Sequence, residues 1–271
     1  MSRLLKLTTA YILYFTIIIV FVFSVLHFNN KLPNKNNNLS KDTRLSDTEN
    51  LIIPSNINDK YIILTFDDGW SSQYEAFKMI KPIKGTLYIC SSFIGQENRL
   101  TLDNLTEMYN NGWDISNHTV HHANLTKVSL EKAYDEIYGC SAWIKGHGFT
   151  RDNAYKHFAY PEGGYDESIL KILKDQDFLT ARTTNPGNDT TNPLQLGRTS
   201  LHGMTKKNIR DNILSDRKLI ILSFHRIIPD DSTDIKDIDL KESYFKEVMS
   251  AIHESGRQVI TISEWYKLNG Q

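Results

Sequence analysis

The chain of 271 residues has only two cysteines, Cys90 and Cys140. That is too few for a disulfide framework or a cysteine-rich metal centre, and the pair reads as two small buried thiols. Net charge is nearly absent as well. The 31 Lys and Arg balance 32 Asp and Glu to leave −1, and the basic residues are scattered rather than clustered, so no electrostatic feature favours a nucleic-acid partner. Length is sufficient for one sizeable domain and an appendage.

The appendage is amino-terminal. Leu7 to Phe28 is almost wholly apolar, with Arg3 and Lys6 ahead of it. About twenty such residues match a bilayer's hydrocarbon core, and Val22-Phe23-Ser24 is a poor cleavage site. The expected reading is an uncleaved signal anchor forming a transmembrane helix over residues 1–28, with the rest of the chain outside the cell membrane. Cleavage would release the same domain in secreted form. Asn29 to Asp59, containing Asn36-Asn37-Asn38 and few large apolar residues, reads as a flexible tether.

From residue 60 onward, strand-like apolar runs alternate with helical periodicity. The runs are Tyr61–Phe66, Thr86–Cys90, Trp113–Ser116, His157–Tyr160, Leu179–Arg182, Leu219–Phe224 and Gln258–Ile262. Helices are expected over Ser129–Ile144, where Leu130, Ala133, Tyr134, Ile137 and Tyr138 share a face, and over Lys241–Glu254. Repeated strand–helix units imply an α/β fold with parallel strands, and about seven strands in this length close most naturally into a (β/α) barrel.

Two constellations sit at strand ends. Thr65-Phe66-Asp67-Asp68-Gly69 places two carboxylates side by side, where like charges raise each other's pKa unless a cation or a proton divides their roles. His118-Thr119-Val120-His121-His122 supplies the means to bind that cation. On a turn of helix the imidazoles of His118 and His122 would point the same way, and with one carboxylate they would leave a divalent metal open positions. One aspartate then binds metal while the other stays free as a base.

These residues, with two further motifs in the same order, resemble the polysaccharide deacetylases that share the NodB-like domain, over roughly Tyr61 to Leu268. Phe158-Ala159-Tyr160-Pro161-Glu162-Gly163 is similar to the family's third motif, and Leu222-Ser223-Phe224-His225 to its last. The resemblance implies a distorted barrel. It implies Asp67 as catalytic base, Asp68, His118 and His122 as metal ligands, and His225 as general acid. It also implies a groove walled by Tyr160, Pro161 and Glu162, with the Glu162 amide at the oxyanion. The metal implied is zinc, with Co2+, Ni2+ or Mn2+ as alternatives. The substrate implied is an acetylated polysaccharide carrying N-acetylglucosamine, losing acetate from nitrogen.

Many members of that family carry an arginine where this chain has Ala159, and that arginine orients the base aspartate. Arg198 is the candidate replacement. Trp70 is a candidate for stacking on a sugar ring, with burial in the barrel mouth as the plainer reading. His121 is expected to face outward or to support a ligand from behind. Two other functions share these features: an O-acetyl esterase acting on a glycan, and a catalytically idle carbohydrate-binding module.

Overall fold

The computed structural model describes residues 59–187, 191–201 and 203–269. The apolar segment Leu7–Phe28 and the tether up to residue 58 lie outside the described residues. Among the described residues no helix is long and apolar enough to cross a membrane.

Seven parallel strands close the barrel: β1 (Tyr61–Asp67), β2 (Thr86–Ile89), β3 (Asp114–Asn117), β4 (His157–Ala159), β5 (Thr180–Pro186), β6 (Leu196–Ser200) and β7 (Leu219–Phe224). Neighbours in sequence are neighbours in space, and β7 returns to β1 with Tyr61 opposite Leu219 through Phe66 opposite Phe224. Beyond β7 come a short parallel pair, β8 (Arg226–Ile228) with β9 (Asp239–Lys241), and the two-residue β10 (Gln258–Val259). The distortion has a definite place. Strand β2 pairs only with the carboxyl end of β1, at Thr65 to Asp67, while β10 takes the same edge lower down, at Tyr61 and Ile62.

The helices α1 (Ser72–Ile80), α2 (Leu102–Asn110), α3 (Leu130–Gly146), α4 (Glu167–Asp175), α5 (Lys206–Ile213), α6 (Glu242–Ser255) and α7 (Ile262–Leu268) join the strands. Helix α3 begins where expected, Ser129 accepting the Lys132 amide at its cap. Its apolar face differs from expectation: Ala133, Ile137, Cys140 and Ile144 are buried, whereas Leu130, Tyr134 and Tyr138 are exposed.

Alternation along the strands sorts the interior. Ile62, Leu64 and Phe66 of β1 face outward into the helix layer, where the Phe66 ring lies 5.1 Å from Trp113 and 5.0 Å from Phe224. The intervening residues point into the barrel. At its amino end that lumen is apolar, with Ile63, Leu196, Leu219 and Ile221. One tier higher it turns polar. Register sets Asp67 beside Tyr88, Tyr88 beside Ser116, and His157 beside Thr180, all buried. The carboxyl ends of the strands therefore open onto a floor of polar groups, the face on which barrels build their sites.

Strand β6 was not among the expected runs, because Leu196-Gly197-Arg198-Thr199-Ser200 carries a single large apolar residue. Gln258–Ile262, expected as a barrel strand, supplies only β10 before α7 begins, and β6 completes the barrel in its stead.

Candidate active site

Asp67 ends β1, and Asp68 follows in a left-handed conformation at φ 72°. In a continuing strand the two carboxylates would point to opposite faces. The turn at Asp68 swings both into the barrel mouth, a strained arrangement of the kind that collects at functional sites.

Asp67 Oδ2 accepts a hydrogen bond from Arg182 Nη2 at 2.5 Å, and both groups are buried. Ser223 Oγ lies 3.4 Å from the same oxygen, His225 Nε2 3.6 Å and Arg198 Nη1 3.8 Å. Burial alone would raise the Asp67 pKa, but the charges of Arg182, His225, His118 and Arg198 together hold it below its ordinary value. Asp67 is therefore a carboxylate with one oxygen fully engaged. Its other oxygen, Oδ1, is buried and has no hydrogen-bond partner.

Two arginines, rather than the one expected, stand beside Asp67. Arg198 does approach, but it spends its Nη1 on Ser223 Oγ at 2.5 Å, and burial, then Arg182, bring its pKa down to about 10. Arg182, which sequence reasoning placed in a strand without a role, makes the direct contact. A signal for it existed: in β5 the alternation that turns Thr180 inward also turns Arg182 inward, and a buried arginine requires an acid. Gln73 was missed too. Its Nε2 donates to the carbonyls of Asp67 at 2.6 Å and of His225 at 3.0 Å, tying the ends of β1 and β7 together from α1.

Asp68 Oδ1 stands 3.5 Å from His118 Nε2 and 3.4 Å from His122 Nε2. Ligand-type atoms of the three residues all lie within 4.8 Å of one another. The donor chemistry fits a divalent cation. His118 Nδ1 is 2.7 Å from the carbonyl of Ala159, which can only accept, so Nδ1 carries the proton and Nε2 presents its lone pair. Asp68 Oδ1 is buried with no hydrogen-bond partner, the state of an oxygen awaiting a ligand rather than a proton. Burial raises the Asp68 pKa, yet the neighbouring imidazoles of His118, His225 and His122 leave it well below the usual carboxylate range. Burial, then His118, lowers the His122 pKa and favours its neutral form.

The histidines do not ride on a helix. Residues 118–124 form a loop, with Thr119 at φ 71° and His122 at φ 58°. Asn117 nucleates it, its Oδ1 accepting the Thr119 amide at 2.8 Å while its Nδ2 donates to Ile137 O and Ser141 Oγ on α3. Buried Glu136 completes the clamp, accepting the His121 amide at 2.7 Å and bonding His121 Nδ1 at 2.8 Å. His121 thus turns away from Asp68, outward and half of its side chain exposed.

The third motif divides between core and surface. Tyr160 faces the core rather than a groove: it is buried and its hydroxyl donates to Leu194 O. Pro161 is buried. Glu162 is exposed, at φ 53°, with its carboxylate held by Asn124 Nδ2 at 2.8 Å. The turn depends on Gly163, at φ 76°, where an added Cβ would fall 2.0 Å from Thr184 Oγ1. Trp70 is at the mouth, its Nε1 donating to Asp68 Oδ2 at 3.1 Å, but Arg99 stacks over its ring at 3.5 Å and covers one face. Cys90 and Cys140 are buried and unpaired, and Cys90 Sγ bonds the carbonyl of His118.

The PdaA protein of Bacillus subtilis, a peptidoglycan-N-acetylmuramic acid deacetylase, is 27% identical over 129 residues, covering 46% of this chain and 47% of its own. YxkH of Bacillus subtilis is 28% identical over 133 residues, 48% of this chain and 47% of the relative. The chain thus matches about half the length of these curated relatives. In fold, it is similar over 78% of its length to 92% of a family 4 acetyl xylan esterase from Clostridium thermocellum, solved with a cobalt ion, at TM-score 0.56 and 18% identity. The model of the polysaccharide deacetylase family matches residues 55–181, which hold the paired aspartates, the two histidines that face Asp68, the third motif and the strand up to the residue before Arg182. Over that segment, 127 of its 271 residues, the chain is similar to the polysaccharide deacetylase family.

Proposed function

We propose that this protein is a metal-dependent hydrolase that removes N-acetyl groups from an N-acetylglucosamine-containing polysaccharide at the cell surface. The observation that carries this reading is the split between the paired aspartates. Asp68 Oδ1 faces two imidazole nitrogens, while Asp67, one residue away, is engaged by Arg182 and faces His225. A binding module has no use for that division of labour.

Asp68, His118 and His122 would hold the metal, and one carboxylate with two imidazoles is a zinc-hydrolase ligand set that cobalt, nickel or manganese also satisfies. The cation supplies Lewis acidity toward water and the acetyl carbonyl. Asp67 Oδ1, free of hydrogen bonds, is the atom that takes the attacking water's proton, while Arg182 fixes Oδ2 and keeps the group ionised. The Glu162 amide, on its strained turn, is the candidate second donor to the developing oxyanion. His225 Nε2 hands a proton to the departing nitrogen, since an amine leaves poorly as an anion.

The named activity of PdaA supports a cell-wall type of glycan, and the cobalt in the acetyl xylan esterase supports a divalent metal. That esterase's name also keeps O-acetyl removal as the second reading. Acetate release by the purified full chain with Zn2+, on matched N-acetylated and O-acetylated glycans, separates them. Release from the N-acetylated set supports the proposal, and release from the O-acetylated set alone would replace it with the esterase.

The cellular site is part of the same proposal. Leu7–Phe28 has spanning length with basic residues ahead of it, so an intact amino terminus is expected on membrane-fraction protein. Protease added to whole cells should release the domain. A mature soluble form starting after about residue 24 would remove the anchor and leave the chemistry standing.

A further inference from the structure

Three cations gather around one indole at the rim of the site. The Arg99 guanidinium lies 3.5 Å from the Trp70 ring centre and 4.4 Å from that of Phe93, stacked between them. Arg226 lies 5.5 Å and Lys236 Nζ 5.9 Å from the same indole. The cluster adjoins the reacting centre on two sides. Trp70 Nε1 and Arg99 Nη1 donate to Asp68 Oδ2 and to the Asp68 carbonyl, both at 3.1 Å, and Arg226 directly follows His225.

Among the described residues, carboxylates account for only one of the three charges. Arg226 pairs with Asp239 at 3.3 Å and lies 4.0 Å from the exposed Asp234. Among the described residues, neither the Arg99 guanidinium nor Lys236 Nζ has a carboxylate within 4.0 Å, although the Lys236 backbone amide donates to Asp239 Oδ2 at 2.8 Å. Cation–π contact stabilises each charge on the ring but does not neutralise it. Like charges held this close repel, and an incoming anion relieves the repulsion. Arg99 offers a planar fork suited to an oxyanion, and Lys236 a mobile point charge at the outer edge.

We propose that Arg99, Arg226 and Lys236 around Trp70 form a subsite for an anionic substituent, a carboxylate or a phosphate, carried by the acetylated glycan. This rests on the deacetylase reading and names the substrate class within it. An anionic sugar docked there sets its neighbouring acetyl group toward the Asp68 side of the mouth. Trp70 acts as the platform that fixes the cations, rather than as a free face for sugar stacking.

The test compares acetate release by the full chain with Zn2+ on three glycans: an N-acetylated glycan bearing a carboxylate, its carboxyl-reduced counterpart, and one bearing a phosphodiester. The expected result is a KM about tenfold lower for at least one charged glycan than for the reduced one, a gap that narrows as salt rises. The charged glycan that shows the gap identifies the source of the anion. Lys236 is exposed on a loop, and among the described residues its side chain contacts only the indole face, so its substitution leaves the core packing untouched. In Lys236→Glu the charged-over-reduced preference should fall toward unity, and in Lys236→Gln part of the way. Acetate release with no preference among the three glycans, or a preference unchanged in Lys236→Glu, would overturn the subsite alone. No acetate from any glycan would overturn the deacetylase reading together with it.

Discussion

Arg182, at the inner face of β5, donates from Nη2 to Asp67 Oδ2 of β1 across 115 residues of sequence, with both side chains buried. The third motif has Ala159 in place of an arginine, and Arg182 is the cation in direct contact with this carboxylate. Its removal strands a buried carboxylate, so Arg182→Ala should lower kcat by about a hundredfold or more and shift the pH profile, with part of the loss restored in Arg182→Lys. Arg198→Ala acts through Ser223 and should cost clearly less. Steady-state kinetics on the two variants decide it, and an Arg198→Ala loss equal to or larger than that of Arg182→Ala would return the role to Arg198.

The ligand set predicts a sharp contrast between neighbouring histidines. His122→Ala should lose stoichiometric metal and activity together, because a ligand atom is gone. His121→Ala should keep metal, since His121 bonds Glu136 and turns away from Asp68. Elemental analysis of the two purified variants reads this directly. Metal retained in His122→Ala and lost in His121→Ala would move the site by one residue.

His225 faces Asp67 Oδ2 at 3.6 Å and is assigned to the leaving group. His225→Ala should therefore be far more damaging on an N-acetyl sugar than on an activated aryl acetate, whose phenolate leaves without a proton. The measurement is the ratio of kcat values on the two substrates, and equal losses on both would remove the general-acid role.

Away from the paired aspartates, His157 predicts how stability responds to acid. It is fully buried on β4, Nδ1 bonded to Thr180 Oγ1 at 2.8 Å, and burial pushes its pKa from the ordinary 6.5 down to about 3. The unfolded chain thus binds a proton below about pH 6.5 that the folded chain refuses until about pH 3. Stability is whole above the upper value and is lost as pH falls between them, by at most about 1.4 kcal/mol per pH unit for one group. Denaturant unfolding of chelator-treated His157→Gln should show a shallower acid decline than the parent over that window, and parallel curves would contradict it.

What the sequence disclosed was local chemistry, and what it concealed was contact at a distance. Adjacent Asp67 and Asp68, the four-residue spacing of His118 and His122, and the apolar runs of β1, β2 and β7 are short-range patterns, and all survive in the fold. The barrel followed from the strand–helix alternation. The conformation carrying the histidines did not, because a spacing of four suits a helix and an Asn117-led loop equally, and the clamp from Glu136 comes from another element. Strand β6 was hidden by its polarity, since its inner face serves the site rather than the core. Arg182 was hidden because its partner is 115 residues away. Trp70 was visible as an aromatic at the mouth, while the Arg99 stacked on it was not.

The central claim is that Asp67 does the proton chemistry beside a metal held by Asp68, His118 and His122. The most direct measurement is acetate release by the full chain from an N-acetylated glycan, before chelation, after chelation and after Zn2+ is restored, with Asp67→Asn and Asp68→Asn run in parallel and metal content determined for each. The account predicts loss and recovery with the metal in the parent, full metal content with a rate lower by about a hundredfold or more in Asp67→Asn, and loss of tight metal binding in Asp68→Asn. Undiminished release after complete metal removal, or near-parental turnover in Asp67→Asn, would contradict it.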